Sequence, residues 1–166
     1  RGEDQNLRLV IAGNRLGHHV DPEIDRIVRR LNLESSIVFP GFVEQEDVRA
    51  LISAARAFAF PSKYEGFGIP MLEAMSCGVP VVASDIPALR ETGSDAALFA
   101  NPDDPKSFAD ALRLAIQTGS ERKRLIREGK DRAKYFSWEK SAKDILAAYE
   151  EICFHKRTAS SFHLTG

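Results

Sequence analysis

Short apolar runs alternate along the chain with stretches in which apolar residues recur every three or four positions. The runs predict five short strands, at residues 9–12, 37–39, 57–60, 81–83 and 97–99. The stretches predict amphipathic helices that begin near Asp21, Val48, Pro70, Asp104, Ser120 and Ser137. Strands and helices therefore alternate through the first two thirds of the chain, and helices follow one another in the last third.

The predicted strands are apolar throughout, rather than alternately apolar and polar. Strands of that kind are buried on both faces, and with helices between them they predict a parallel, doubly wound, Rossmann-like α/β sheet. Ligands bind such sheets beyond the carboxyl ends of the strands. The loops of interest are therefore residues 13–19, 40–43, 61–69 and 83–87.

The C-terminal third is predicted to pack as helices against this sheet. The last helix is expected to turn Trp138, Ile145, Tyr149 and Ile152 inward, with Trp138 a packing residue. We interpret residues 1–153 as one domain. Residues 154–166 have no clear period and are expected to form a partly mobile tail.

Composition narrows the class of protein. The 166 residues are 43% hydrophobic and 28% charged, which is typical of a globular domain. Lys and Arg number 23 against 24 Asp and Glu, so no general field attracts nucleic acid. Two distant cysteines, Cys77 and Cys153, favour a reducing compartment, interpreted as the cytoplasm. The chain begins with Arg1 rather than Met, and we expect it to be a piece of a longer protein.

The richest segment chemically is Glu-Gly-Phe-Gly-Ile-Pro-Met-Leu-Glu, residues 65–73, between a predicted strand and a helix. Gly66 and Gly68 allow a ligand to approach the backbone, and the N–H groups of Gly68, Ile69, Met71 and Leu72 are expected to be free for a phosphate or diphosphate. Two carboxylates, Glu65 and Glu73, would repel phosphate unless they accept hydrogen bonds from sugar hydroxyls. The segment therefore indicates a nucleotide-sugar site. The alternative is a tight turn with favourably placed glutamates and no ligand.

The same residues carry a family resemblance. Residues 65–75, together with Cys-Gly-Val-Pro-Val-Val-Ala-Ser at 77–84, resemble the donor-binding signature of the group 1 (family 4) glycosyltransferases of the GT-B fold. Residues 9–13, 38–43 and 136–139 are similar to further parts of that domain. The similarity covers roughly residues 7–153, so the chain resembles the C-terminal half of a GT-B fold.

The resemblance implies transfer of a hexose from a nucleotide-diphosphate sugar, such as GDP-mannose or UDP-glucose, to an acceptor, with retention at the anomeric carbon. It implies neither a metal nor another cofactor, and the sequence has no Asp-x-Asp motif. By this resemblance Glu65 faces the donor sugar and is catalytic, and Glu73 contacts the ribose. The remaining donor-binding residues implied are Gly13, Asn14, Gly41, Phe42, Val43, Gly66, Phe67, Gly68 and Ile69.

One departure from the family pattern matters. The donor domain of the family normally opens with a further strand, a Gly-Arg loop and a Lys that starts a helix, and nothing before Arg8 supplies them. The N-terminal acceptor domain, the expected partner, is also absent, so we expect the isolated chain to be inactive. Lys63 and Arg15 are candidates to neutralise phosphate, although a solvated surface charge is the favoured interpretation of each.

Other readings of the sequence stay open. A dinucleotide-binding domain of an oxidoreductase would need a glycine spacing that Gly13 and Gly17 do not provide. Another alternative to a glycosyltransferase is a non-catalytic interaction module that kept the fold. The adjacent His18 and His19 have no third ligand, so we predict no metal site. A basic cluster could give a peripheral membrane contact with anionic lipid, although a solvated helix is favoured: Arg122, Lys123, Arg124, Arg127, Lys130, Arg132 and Lys134.

Overall fold

The computed structural model describes residues 7–13 and 22–161, with side chains as far as residue 152. The chain divides into two compact units, Arg1–Leu51 and Ile52–Gly166. Each unit is described by itself.

The first unit holds two parallel strands, β1 (Leu9–Ala12) and β2 (Ile37–Gly41), with helix α1 (Pro22–Arg30) between them in sequence. Helix α2 (Gln45–Ser53) begins in this unit. The sequence predicted that β2 stops before Pro40, but the strand continues to Gly41, which pairs with Ala12. Proline is compatible with this strand because β2 belongs to a two-stranded sheet, where one edge needs no donor.

The second unit is built on three parallel strands in the order β3 (Phe58–Phe60), β4 (Val81–Ser84) and β5 (Leu98–Ala100). Every residue of the central strand β4 is buried, as its uninterrupted apolar run predicted. All five predicted strands are therefore present, and each pairs in parallel within its own unit. The α/β, Rossmann-like class is confirmed.

Five helices complete the second unit: α3 (Ile69–Ser76), α4 (Pro87–Gly93), α5 (Pro105–Ile116), α6 (Ser120–Tyr135) and α7 (Trp138–Ser161). The start of α5 is as predicted, because the Asp104 side chain accepts a hydrogen bond from the backbone N–H of Lys106 at 2.9 Å. Helix α4 was not predicted. It is only seven residues long, and no side chain caps its N-terminus.

Helix α6 is tied to its neighbours by three of its arginines. Each donates to a backbone carbonyl of another element: Arg122 to Ala115 at 2.9 Å, Arg124 to Asp95 at 2.9 Å and Arg132 to Thr92 at 2.8 Å. Arg124 also pairs with Glu121 and Glu128, which lowers the pKa of Glu121 and raises that of Arg124. Neither earlier interpretation of the basic cluster, a lipid-facing surface or a solvated face, describes these three residues.

Helix α7 differs from the expectation in two ways. Its predicted inner face is exposed: Trp138 is 83% accessible, and Ile145, Tyr149 and Ile152 are each more than half accessible. The apolar spacing was therefore a correct sign of a helix but not of packing, since no part of the described chain covers that stripe. The helix also continues to Ser161, although the sequence after Phe154 predicted none.

Candidate functional site

The glycine-rich segment leaves the carboxyl end of β3 and enters α3, at the edge of the parallel sheet where ligands are expected. Gly68 is the N-cap of α3 and has left-handed backbone angles, φ 93° and ψ 46°. A Cβ at Gly68 would lie 2.5 Å from Cδ2 of the buried Leu89. Both the backbone conformation and the available space therefore require glycine here.

A run of backbone N–H groups in this segment has no hydrogen-bond partner among the described residues. Within the described residues, the N–H groups of Gly66, Phe67, Gly68 and Ile69 donate no hydrogen bond. The N–H of Met71 was expected to be free as well, but it donates to the carbonyl of Gly68 at 3.0 Å. Consecutive unbonded N–H groups at the start of a helix favour an anion.

The two glutamates of the segment lie at either end of that run. Glu65 precedes it in the loop, and Glu73 follows it as the fifth residue of α3. Both side chains are half-buried, and within the described part of the chain neither carboxylate has an ion-pair or hydrogen-bond partner. Each is thus available to accept hydrogen bonds from a ligand. Their predicted roles toward sugar and ribose remain predictions.

The loop contacts two side chains to which the sequence analysis gave no role at this site, Thr92 and Phe136. Thr92, at the end of α4, donates its hydroxyl to the carbonyl of Phe67 at 2.6 Å and is 1% exposed. The ring of Phe136 contacts that of Phe67 edge to face, with centroids 5.3 Å apart. Thr92 could have been found only by predicting helix α4, which brings it to the loop, and the sequence analysis did not predict that helix.

Charged residues of the neighbouring loops are paired with one another. Lys63 lies 2.5 Å from Asp103 and so links the loop after β3 to the loop after β5. The Lys63 side chain is 72% exposed, which agrees with its interpretation as a solvated surface charge, and a phosphate-binding role for it stays a prediction. Asp85, after β4, accepts two hydrogen bonds from Arg90 at 2.6 and 2.7 Å. These bonds hold the pKa of Asp85 below its usual range.

The candidates before residue 51 belong to the first unit. The N–H of Gly13 donates to the carbonyl of Gly41 at 2.8 Å, so these two glycines lie together at the ends of β1 and β2. Phe42, which follows β2, is strongly exposed, and Val43 is half-buried. Asn14, Arg15, His18 and His19 lie outside the described residues.

The described residues contain no group of three or more His, Cys, Asp or Glu side chains arranged to hold a metal ion. None of their helices combines the length and the apolar character needed to cross a membrane.

The chain was then compared with known proteins. A model of the family described as glycosyl transferases group 1 matches residues 1–132. This chain belongs to that family. The O-antigen chain mannosyltransferase B of Escherichia coli is 42% identical to this group 1 glycosyltransferase chain over 142 residues, which are 86% of the chain and 37% of that protein. The chain thus spans less than two fifths of this curated relative. The family assignment contradicts the oxidoreductase alternative.

Solved structures show the same fold. Sucrose-phosphate synthase from Thermosynechococcus elongatus matches 89% of the chain and 39% of its own length, with a TM-score of 0.75 and 27% identity. The Anabaena protein HepE, solved in complex with UDP-glucose, matches 89% of the chain and 42% of its own length, with a TM-score of 0.80 and 23% identity. The predicted class, the C-terminal half of a GT-B fold, is confirmed.

Proposed function

We propose that this chain is the donor-binding domain of a retaining, metal-independent glycosyltransferase that transfers a hexose from a nucleotide-diphosphate sugar. The observation that carries the proposal is the segment between β3 and α3. Two half-buried carboxylates, Glu65 and Glu73, have no partner in the described protein and enclose in sequence four unbonded N–H groups. A nucleotide-sugar supplies what each group lacks: phosphate oxygens for the N–H groups and hydroxyls for the carboxylates.

The chemistry follows from where charge develops. When the bond between sugar and diphosphate breaks, negative charge grows on the leaving diphosphate, and N–H groups already aimed at it stabilise the transition state. The same break leaves positive charge on the sugar ring, which a carboxylate at Glu65 would stabilise. Glu73 would hold the ribose, a part of the donor that does not react. The start of α3 therefore takes the place of a metal ion in this proposal.

The names of the similar proteins set the order in which donors are tested. The relative at 42% identity is named a mannosyltransferase, and HepE was solved with UDP-glucose. We therefore expect a mannose donor, GDP-mannose, to bind more tightly than UDP-glucose. The acceptor would be bound by an N-terminal domain, since the relative is much longer than this chain.

We also propose a reducing compartment for the protein. Cys77 is a free thiol, which favours a reducing compartment such as the cytoplasm. A peripheral membrane contact through α6 stays a prediction that Arg122, Arg124 and Arg132 do not carry, because they are engaged with backbone carbonyls.

The test is calorimetric titration of GDP, UDP, GDP-mannose and UDP-glucose into the natural protein that carries this chain. Binding of one nucleoside diphosphate and its sugar is expected, unchanged by a chelator such as EDTA. Transfer to an acceptor is then followed by NMR, and the product should keep the anomeric configuration of the donor. Absence of nucleotide binding contradicts the proposal, and binding without transfer in any acceptor screen favours the non-catalytic module instead.

A further inference from the structure

The carbonyl of Phe67 is fixed by a hydrogen bond from a distant, buried side chain. Thr92 donates its hydroxyl to this oxygen at 2.6 Å across 25 positions of sequence. A threonine hydroxyl within a helix normally bonds to a carbonyl one turn earlier in its own helix. In α4 the single hydroxyl proton is instead used to hold the glycine-rich loop.

The direction of this carbonyl determines the direction of an N–H group in the site. Phe67 C=O and Gly68 N–H belong to one planar, trans peptide unit, so they point in opposite directions. Because the carbonyl points at the buried Thr92, the Gly68 N–H points away from α4. That N–H is one of the four in the segment with no hydrogen-bond partner in the described protein.

Thr92 is itself held in place by α6. The guanidinium of Arg132 donates to the carbonyls of Thr92 at 2.8 Å and Glu91 at 2.6 Å, both in the last turn of α4. The same guanidinium lies 4.8 Å from the ring centroid of Phe136, and this ring contacts Phe67. Arg132 therefore supports both residues that contact Phe67. It holds Thr92 through hydrogen bonds to the backbone and Phe136 through a cation–π contact with the ring.

We propose that Thr92, supported by Arg132, is a positioning residue that orients the Phe67–Gly68 peptide so that the Gly68 N–H faces the diphosphate of the donor. The proposal rests on the proposed function, because it assumes that the diphosphate lies at these N–H groups. Thr92 touches no substrate in this scheme. Without its hydroxyl the peptide can rotate, and the Gly68 N–H is no longer held toward the ligand.

The matched variants are Thr92→Val, which keeps the shape and removes the hydroxyl, and Thr92→Ser, which keeps the hydroxyl and removes a methyl group. In the natural protein that carries this chain, the affinities for GDP and UDP are compared with those for guanosine and uridine. Thr92→Val should weaken nucleoside diphosphate binding roughly 3- to 10-fold, as expected for one hydrogen bond. Nucleoside binding should be unchanged, and Thr92→Ser should bind both as the wild type does.

The outcomes separate this inference from the proposed function. If the wild type binds neither GDP nor UDP, the proposed function fails. If the wild type binds one of them and Thr92→Val binds it equally tightly, the positioning role is wrong. An equal loss of nucleoside and nucleoside diphosphate also overturns it, because that pattern indicates general destabilisation.

A second variant covers the case in which Thr92→Val does not fold. Arg132→Lys keeps the charge but loses the planar fork that reaches two carbonyls. Like Thr92→Val, it should lower the ratio of nucleoside diphosphate affinity to nucleoside affinity, but by a smaller factor. An unchanged ratio in Arg132→Lys, with Thr92→Val unfolded, contradicts the inference.

Discussion

Substitution of Gly68 by alanine should destabilise the second unit by two separate effects. The first is conformational, because φ 93° lies in the region that L residues rarely adopt and costs them about 1–2 kcal/mol. The second is steric, since the new Cβ would lie 2.5 Å from Cδ2 of Leu89. Leu89 is fully buried and has little room to move, and overpacking of this kind costs about 1–3 kcal/mol.

Together these effects predict a loss of about 2–5 kcal/mol in the free energy of unfolding. Urea denaturation followed by far-UV circular dichroism measures it. With a mid-range slope of about 2 kcal/mol per molar urea, the midpoint should fall by about 1–2.5 M.

Gly66→Ala is the matched control in the same loop. A Cβ at Gly66 meets nothing within 4 Å, and its backbone is outside the left-handed region. Its stability should therefore stay within about 1 kcal/mol of the wild type. If Gly68→Ala is as stable as Gly66→Ala, the explanation from strain and space is wrong.

A double-mutant cycle with Leu89→Ala separates the two effects. Removing the Leu89 side chain relieves the steric part but not the conformational part. The loss in the free energy of unfolding of the double variant should therefore be about 1–3 kcal/mol smaller than the sum of the two single losses. Strict additivity would show that the contact with Leu89 contributes nothing.

Three further predictions follow from the site and its surroundings. Glu73→Gln should weaken nucleoside diphosphate binding roughly 10- to 150-fold, whereas Glu65→Gln should lower kcat more than that affinity; normal turnover with lost nucleotide affinity in Glu65→Gln would mean that the roles are reversed. The isolated 166-residue chain should transfer no sugar in a radiolabelled donor assay, and any product contradicts the need for a second domain. The hydrogen bonds from Arg90 keep the pKa of Asp85 below its ordinary value, so their pairing stabilises the fold above about pH 4 and is lost as pH falls through the lowered pKa. Tm should fall less steeply over that range in Asp85→Asn, and identical slopes would refute the contribution.

The parts of the fold that could be predicted are those set by local pattern. The uninterrupted apolar run at β4 indicated a strand buried on both faces, and all four of its residues are buried. Asp104 followed by Pro105 indicated a helix start, and the cap hydrogen bond is present. The glycine-rich segment was placed correctly because a strand, two glycines and a Pro at the second helical position leave few other conformations.

The parts that were missed depend on contacts between distant residues. The pairing of Lys63 with Asp103 joins positions 40 apart, and nothing local to either residue announces it. The inward face assigned to α7 failed for a related reason. Spacing shows that Trp138 and Ile145 share a stripe, but it does not show whether another element covers the stripe.

The support of the glycine-rich loop also sets an order of events during synthesis of the chain. When synthesis has reached the end of β4, the chain already contains Glu65, both glycines and Glu73, but neither Thr92 nor Arg132. Phe67 acquires its hydrogen bond only when Thr92, 25 positions later, has been synthesised, and the bond from Arg132 to Thr92 needs a further 40 positions. Such long-range closure is slow compared with local helix formation. The complete motif therefore exists in the nascent chain before Thr92 and Arg132 can hold its loop, and a chain cut off before α6 would keep the motif but lack the contacts of Arg132.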